Sequence, residues 1–387
     1  MIDEQHRDTP ILRLQAPVAS WHDDRLTITC ALGEATTLMV RLRGPRSVLR
    51  RVQPRIEPFL PMALLIAGVA RADLEVSARV DQTYLSTLRL GYVPMLERLY
   101  AFPRTQLRVT DQTDRPAGWS PRRRLRRHGL PEPAMLLFSG GIDSLYSYYR
   151  LRQVGHPLTT LVNVNAGAHG PHRELMERRF ERVRRFATAA GIEALLIDAN
   201  FHELLQIPHK HVYPIRNIAA ASTLHGAAAG LISSNSRAYD EVSFELVGDY
   251  IGNIGPALLS SFAWAGMPHI EVGYEAGRYA KLARVAEEPP SYRMLDVCVD
   301  AAYQLAAGPG DVVNCGRCSK CHWVQLALEH MGRLDRFGTQ FDLARFASHR
   351  QESIDYEAEH AKVGYVAPFD LGQPMPPTVV IEAPTRV

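Results

Sequence analysis

From residue 134 onward the chain alternates short apolar runs with helical segments, and this alternation narrows the fold more than any other feature. Residues 134–138 (Ala-Met-Leu-Leu-Phe) are apolar at every position, the mark of a strand covered on both faces. Residues 144–152 read as a helix and 161–164 as a second strand. The next helix, 173–190, puts Met176, Phe180, Val183, Ala187 and Ala190 on one stripe and its arginines in water. A third strand follows at 194–197, an alanine-rich buried helix at 217–231, and a fourth strand at 242–247. Such a pattern builds an α/β fold with a doubly wound parallel sheet, whose ligand site lies beyond the carboxyl ends of the strands.

The first 120 residues read differently. Segments 26–30 (Leu-Thr-Ile-Thr-Cys) and 72–78 alternate with period two, 106–110 returns to strand, and 61–70 and 83–100 read as helices. This predicts a smaller N-terminal α+β domain over residues 1–120, with Cys30 a buried small hydrophobe in a strand. Prolines at both ends and five arginines within mark 121–133 as a basic connector. It reads as a charged linker or as an arm for a polyanion. The main domain is expected over 134–332, followed by a C-terminal helix and proline-rich tail over 333–387, where 378–381 is able to add a strand.

Composition removes several classes. The net charge of +3 gives no overall push toward nucleic acid or an anionic membrane. The longest nearly apolar stretch, 58–70, holds Pro58 and Pro61 and is too short to cross a bilayer. Asp3 and Glu4 come early and no apolar segment follows them, so no secretory signal is expected. Of the five cysteines, Cys315, Cys318 and Cys321 crowd together, which suits a metal site in a reducing compartment better than a disulfide framework. The expected location is the cytoplasm, with no membrane partner.

The first strand of the main domain runs into Ser139-Gly140-Gly141-Ile142-Asp143-Ser144. Two glycines let the backbone turn tightly and bring amide N–H groups against an anion. Ser139 and Ser144 add hydroxyls, and the following helix aims its positive end at the same place. Neither the Walker A loop nor the Gly-x-Gly-x-x-Gly fingerprint is present. A serine-capped Gly-Gly turn is the plain structural alternative. Asp249 follows the expected fourth strand and is placed either to help hold magnesium or to cap a turn.

The cysteine cluster, Cys315-Gly316-Arg317-Cys318-Ser319-Lys320-Cys321, has the spacing that lets sulfurs converge on one tetrahedral ion, with Gly316 permitting the turn. Closing the site takes a fourth ligand, Cys298 by preference and His322 otherwise. Free or redox-active thiols are the alternative.

Strand–Ser-Gly-Gly-x-Asp-Ser–helix resembles the signature of the PP-loop (N-type) ATP pyrophosphatases, which have a HUP-like, adenine nucleotide alpha hydrolase-like fold. The resemblance implies cleavage of ATP between the α and β phosphates, with Ser139, Gly140, Gly141, Asp143 and Ser144 holding the pyrophosphate end and Mg2+ sharing its charge. Together with the cysteines, the loop resembles 7-cyano-7-deazaguanine synthase and its relatives, which bind structural Zn2+. Tyr213-Pro214-Ile215-Arg216-Asn217 is similar to the family's Pro-Gly-Arg-Asn, with Ile215 in place of the glycine. Residues 167–175, with His169 and His172, stand where the family has Gly-Gln-Arg-His, and Lys281 matches a lysine before the zinc site. The resemblance covers residues 134–332. Cys298 lies 17 positions before Cys315, wider than in the family.

The implied catalytic set is Ser139, Asp143, Ser144, Lys281 and Arg216. The implied nucleotide set is Ser139, Gly140, Gly141, Ile142, Asp143, Ser144, Asn163, Arg216 and Asn217. The implied zinc ligands are Cys298, Cys315, Cys318 and Cys321. For Arg216, Asn217 and Lys281, a salt bridge or helix cap is the competing role, and for His169 and His172 a plain surface position. The expected activity is adenylation of a carboxylate or amide oxygen, followed by attack of a nitrogen nucleophile. The substrate is small or borne by a protein partner that engages the N-terminal domain; a nucleic acid partner is left open. Extended relatives of this kind occur in bacterial antiphage defence islands. The competing functions are sulfur transfer to tRNA or a purine, and a non-catalytic nucleotide-binding subunit of a defence complex.

Overall fold

The computed structural model describes residues 9–103, 105–110, 134–205, 207–242, 251–255, 258, 261–264, 267–308 and 312–361. The expected connector at 121–133, nearly all of the strand expected at 242–247, Asp249 and the tail beyond 361 lie outside the described residues. The chain folds as two compact units, one of Met1–Ser139 with Ser147–Tyr274 and the other of Gly140–Tyr146 with Glu275–Val387.

In the first unit the strands β7 (Ala134–Leu137), β8 (Leu158–Asn165), β9 (Glu193–Ala199), β10 (Gly230–Ser234) and β11 (His269–Val272) run parallel in the order β11-β10-β7-β8-β9. The chain thus winds outward from β7 in one direction through β8 and β9, then returns and winds the other way through β10 and β11. The reversal makes β7 the switch strand, the position whose carboxyl end meets ligands in doubly wound sheets. The run at 134–138 was readable because β7 is buried from Ala134 to Leu136. Helix Arg173–Ala189 lays Leu175, Met176, Phe180, Val183, Phe186 and Ala187 inward and packs on β8 and β9. Each such buried side chain contributes about 1.5–3 kcal/mol for the larger residues.

The alanine-rich helix differs from expectation. It spans His209–Ser222, and Leu231 belongs to β10. Between them Gly226 turns the chain at φ +84°, and a Cβ there would stand 2.4 Å from Arg51 O. Among the described residues, β10 is therefore the fourth parallel strand in chain order.

The N-terminal strands join the same sheet. They are β1 (Ile11–Leu14), β2 (Val18–His22), β3 (Arg25–Leu32), β4 (Thr36–Arg43), β5 (Asp73–Val76) and β6 (Leu107–Val109). β4 pairs antiparallel with the outer edge of β9, from Val40 opposite Ala199 to Arg43 opposite Leu196. Among the described residues the result is one sheet of 11 strands, and the α+β region expected over 1–120 shows no separate sheet there. Side chains reinforce the joint: Met39 N donates to Asn200 Oδ1 at 2.9 Å and Asn200 Nδ2 to Thr37 O at 2.8 Å. β3 buries every second residue, as its period-two pattern predicts. Helix 83–100 is interrupted by a π turn at Leu88–Tyr92, just before Pro94, which has no N–H to continue the ladder.

The second unit carries helices Arg278–Val285, Ala301–Ala306, Ser319–His330 and Leu343–Ala361. Leu282, Leu295, Leu326, Leu328, Phe337 and Phe341 are buried. Among the described residues no helix is long and apolar enough to cross a membrane.

Candidate nucleotide loop and metal centre

The loop after β7 has the backbone that its glycines allow. Gly140 sits at φ +80°, and a Cβ on it would come within 2.3 Å of Met294 Cε and 3.3 Å of Met294 O. Gly140 O accepts from Asp296 N at 3.0 Å, so the turn is anchored on the 294–296 segment. Ser144 is turned toward the loop itself: its Oγ accepts from Gly140 N and donates to Gly141 O, both at 3.1 Å. The hydroxyl expected to face an anion is thus a staple of the turn. Ser139 is exposed.

The helix starts at Ile142, two residues earlier than expected, with Leu145 N donating to Gly141 O at 3.0 Å. Its first-turn amides point back along the axis into the loop, the arrangement that favours an anion.

Lys281 is wholly buried, and its Nζ lies 3.8 Å from Asp143 Oδ1. Arg278 Nη2 stands 3.7 Å from Asp143 Oδ2, so one carboxylate faces two cations. Asp143 Oδ1 is buried without a hydrogen-bond partner. Lys281 also lies 5.9 Å from the Tyr146 ring centre, and Tyr146 OH donates to Glu275 Oε1 at 2.9 Å. Sequence reasoning had Lys281 but missed Arg278, Tyr146 and Glu275. Arg278 was within reach of the pattern, since it precedes Lys281 by three residues on one helical face.

The other residues of the implied nucleotide set, with His169 and His172, belong to the first unit. Arg216 is 2% exposed, and its Nη2 donates to Leu205 O at 2.7 Å and to Ile207 O at 3.4 Å. Its Nε has no partner, and burial pushes the guanidinium down to about 10, with Tyr100 opposing. Gly167, at φ +116°, leaves room there: a Cβ would lie 3.4 Å from Arg216 Nη1. Asn217 Oδ1 is buried without a partner. Asn163 Nδ2 donates to Phe138 O at 3.1 Å, holding the end of β7, while its Oδ1 is unpartnered. His169 departs from the surface position expected of it. It is 5% exposed, and its Nδ1 lies 3.0 Å from Asn165 Oδ1, whose amide in turn donates to Asp198 at 2.8 Å. His172 is exposed, as expected.

In the second unit Cys298, Cys315, Cys318 and Cys321 converge, with all sulfurs within 4.8 Å of one another. Cys318 and Cys321 are 3.4 Å apart and Cys315 and Cys321 3.9 Å. A tetrahedral zinc with bonds of about 2.3 Å sets its sulfurs about 3.8 Å apart, so the cluster could hold a metal such as zinc. Gly316 makes the turn at φ +75°, and Cys318 N donates to Cys315 Sγ at 3.2 Å. Thiol hydrogen bonds, that of Cys298 first, lower Cys318 well below the ordinary range and Cys315 to about 7. The same hydrogen bonds push Cys298 and Cys321 up, so the four thiols titrate as one group.

His322 is not a fourth ligand. Its Nε2 donates to Arg317 O at 2.6 Å and its Nδ1 lies 2.6 Å from Ser353 Oγ, so both nitrogens are taken.

No protein-family model, curated protein or solved structure matches the chain.

Proposed function

We propose that the chain is an ATP-dependent adenylating enzyme, resembling the PP-loop pyrophosphatases, that activates a carboxylate or amide oxygen for a nitrogen nucleophile. One observation carries the reading. At the switch strand β7, the turn Ser139–Ser144 combines a left-handed glycine and a helix start with a carboxylate faced by Lys281 and Arg278. In the proposed reaction a substrate oxygen attacks the α-phosphorus, an O–P bond forms, and the bond to the β-phosphate oxygen breaks. Pyrophosphate leaves with the bonding pair, and the nitrogen nucleophile then displaces AMP from the activated carbon. Charge grows on the departing group, so donors already in place favour the transition state over the ground state.

The chain's residues divide this work. Amides of the helix start and the loop would cradle the β and γ phosphates, while Ser144 keeps the loop in its cradle shape. Lys281 and Arg278 supply positive charge, Arg as a fork and Lys as a point. Mg2+, when bound, would neutralise phosphate charge, and Asp143, whose Oδ1 makes no hydrogen bond, is the carboxylate that would help hold it. Zinc in the four-cysteine cluster would be structural, since all four positions are filled by sulfur. The same completeness counts against sulfur transfer, which needs a cysteine left to carry sulfur.

The test is incubation of the protein with labelled ATP and candidate carboxylates, 7-carboxy-7-deazaguanine among them. AMP and pyrophosphate are the expected products. Release of ADP and phosphate would overturn the mechanism, and ATP binding without turnover would favour a nucleotide-binding subunit.

A further inference from the structure

Three of the four sulfurs come from one short segment, where Cys315 and Cys318 flank a turn and Cys321 opens helix Ser319–His330. Cys298 does not. The chain leaves after it, forms helix Ala301–Ala306, and returns only at Cys315. Holding such an excursion closed costs chain entropy, and one sulfur–metal bond does not fix where the backbone of Cys298 lies.

Asn314 answers that need. It is 1% exposed and immediately precedes Cys315. Its Oδ1 accepts from Val297 N at 2.9 Å and Cys298 N at 3.1 Å. Its Nδ2 donates to Leu295 O at 3.0 Å and Gln340 O at 3.1 Å. Both donors and both acceptor sites of the amide are used, a pattern that only an amide provides. Gln304 closes the neck a second time, donating to Asp296 Oδ1 at 3.0 Å and to Val313 O at 2.8 Å.

We propose that Asn314 is the positioning residue that carries Cys298 into the metal centre across its wide separation from the other three cysteines. This rests on the reading of the cluster as a metal site. The amide ties the backbone of one ligand to the residue beside another, so the four-sulfur geometry is set before metal arrives. Second-sphere groups of this kind typically govern metal affinity by 10–100-fold.

The test uses the full chain loaded with zinc or cobalt. Asn314→Leu removes all four hydrogen bonds at similar volume. It should release zinc to a chromogenic chelator roughly 10–100-fold more readily than the parent protein. Its cobalt form should lose about a quarter of the sulfur-to-cobalt charge-transfer intensity, matching Cys298→Ser, because one of four thiolates no longer binds. Wild-type retention and an unchanged cobalt spectrum in Asn314→Leu would overturn the inference while leaving the metal centre standing. A parent protein that takes up neither zinc nor cobalt would overturn the metal reading itself. Should Asn314→Leu fail to fold, Asn314→Asp serves, since it keeps the acceptor for Cys298 N and loses the donors. It should show the full four-sulfur spectrum with weaker retention, and loss of the Cys298 contribution in it would overturn the role given to Oδ1.

Discussion

Lys281 Nζ lies 3.8 Å from Asp143 Oδ1, and while the carboxylate keeps 27% of its side-chain surface in water, the lysine keeps none. The pair joins a buried cation to a largely buried anion, and removing one partner of such a pair leaves the other charge uncompensated, which costs up to about 3–5 kcal/mol. Lys281→Met, which leaves Asp143 only Arg278, should therefore melt below the parent temperature while AMP formation falls at least about 100-fold, the scale set by loss of one transition-state donor. Melting curves and product assays check the two halves. A variant as active as the parent would remove Lys281 from the proposed phosphate site.

Gly140→Ala should fail locally rather than globally. The left-handed backbone costs an L-residue about 1–2 kcal/mol, and the added methyl meets Met294 Cε at 2.3 Å. Urea unfolding should show a loss of about that size or larger, and ATP affinity measured by calorimetry should drop. Pairing the change with Met294→Ala should recover part of the stability but little of the binding, because the backbone angle remains wrong.

Metal removal should act on one unit first. Stripping the cysteine cluster with a strong chelator, or Cys315→Ala, should raise hydrogen exchange in helix Ser319–His330, while β7, β8 and β9 stay protected. Metal analysis should find about one zinc per chain before treatment. Uniform exchange before and after treatment would show that the cluster carries no structural metal.

Cys30 sets an alkaline dependence. The thiol is buried in β3, its Sγ donates to Gln15 O at 2.9 Å, and burial pushes it up from 9.0 to about 12. Below pH 9 both folded and unfolded chains hold the proton. Between 9 and 12 only the folded chain does, so stability falls as pH rises, by at most about 1.4 kcal/mol per unit. Cys30→Ala should flatten that slope in urea titrations at about pH 8 and 10. In the native parent, Cys30 should resist alkylation under conditions that label it after unfolding.

Local pattern made some of this legible and left the rest hidden. The strand before Ser139, the glycine turn and the cysteine knuckle each depend on neighbours within a few residues, so spacing alone exposed them. The joint of β4 with β9 pairs residues such as Arg41 and Asp198 that are far apart in the chain, and no periodicity announces such a partner. The burial of His169 escaped for the same reason: Asn165 and Asp198, on separate strands, draw it inward. Cys298 was named as a ligand from its residue type. Asn314, whose amide reaches Val297 N and Cys298 N, drew no reading from the sequence because those partners lie 17 and 16 positions away.

The antiparallel seam where β4 covers β9 also decides what can be cut away. Removing everything before residue 134 would bare the Leu196–Ile197–Asp198–Ala199 rim and present its open amides and carbonyls to any neighbouring chain. Shortened forms should clump when expressed. In this protein the leading third works as a permanent hem sewn onto the parallel half of the sheet, and a lineage that lost it would have to hide that margin some other way.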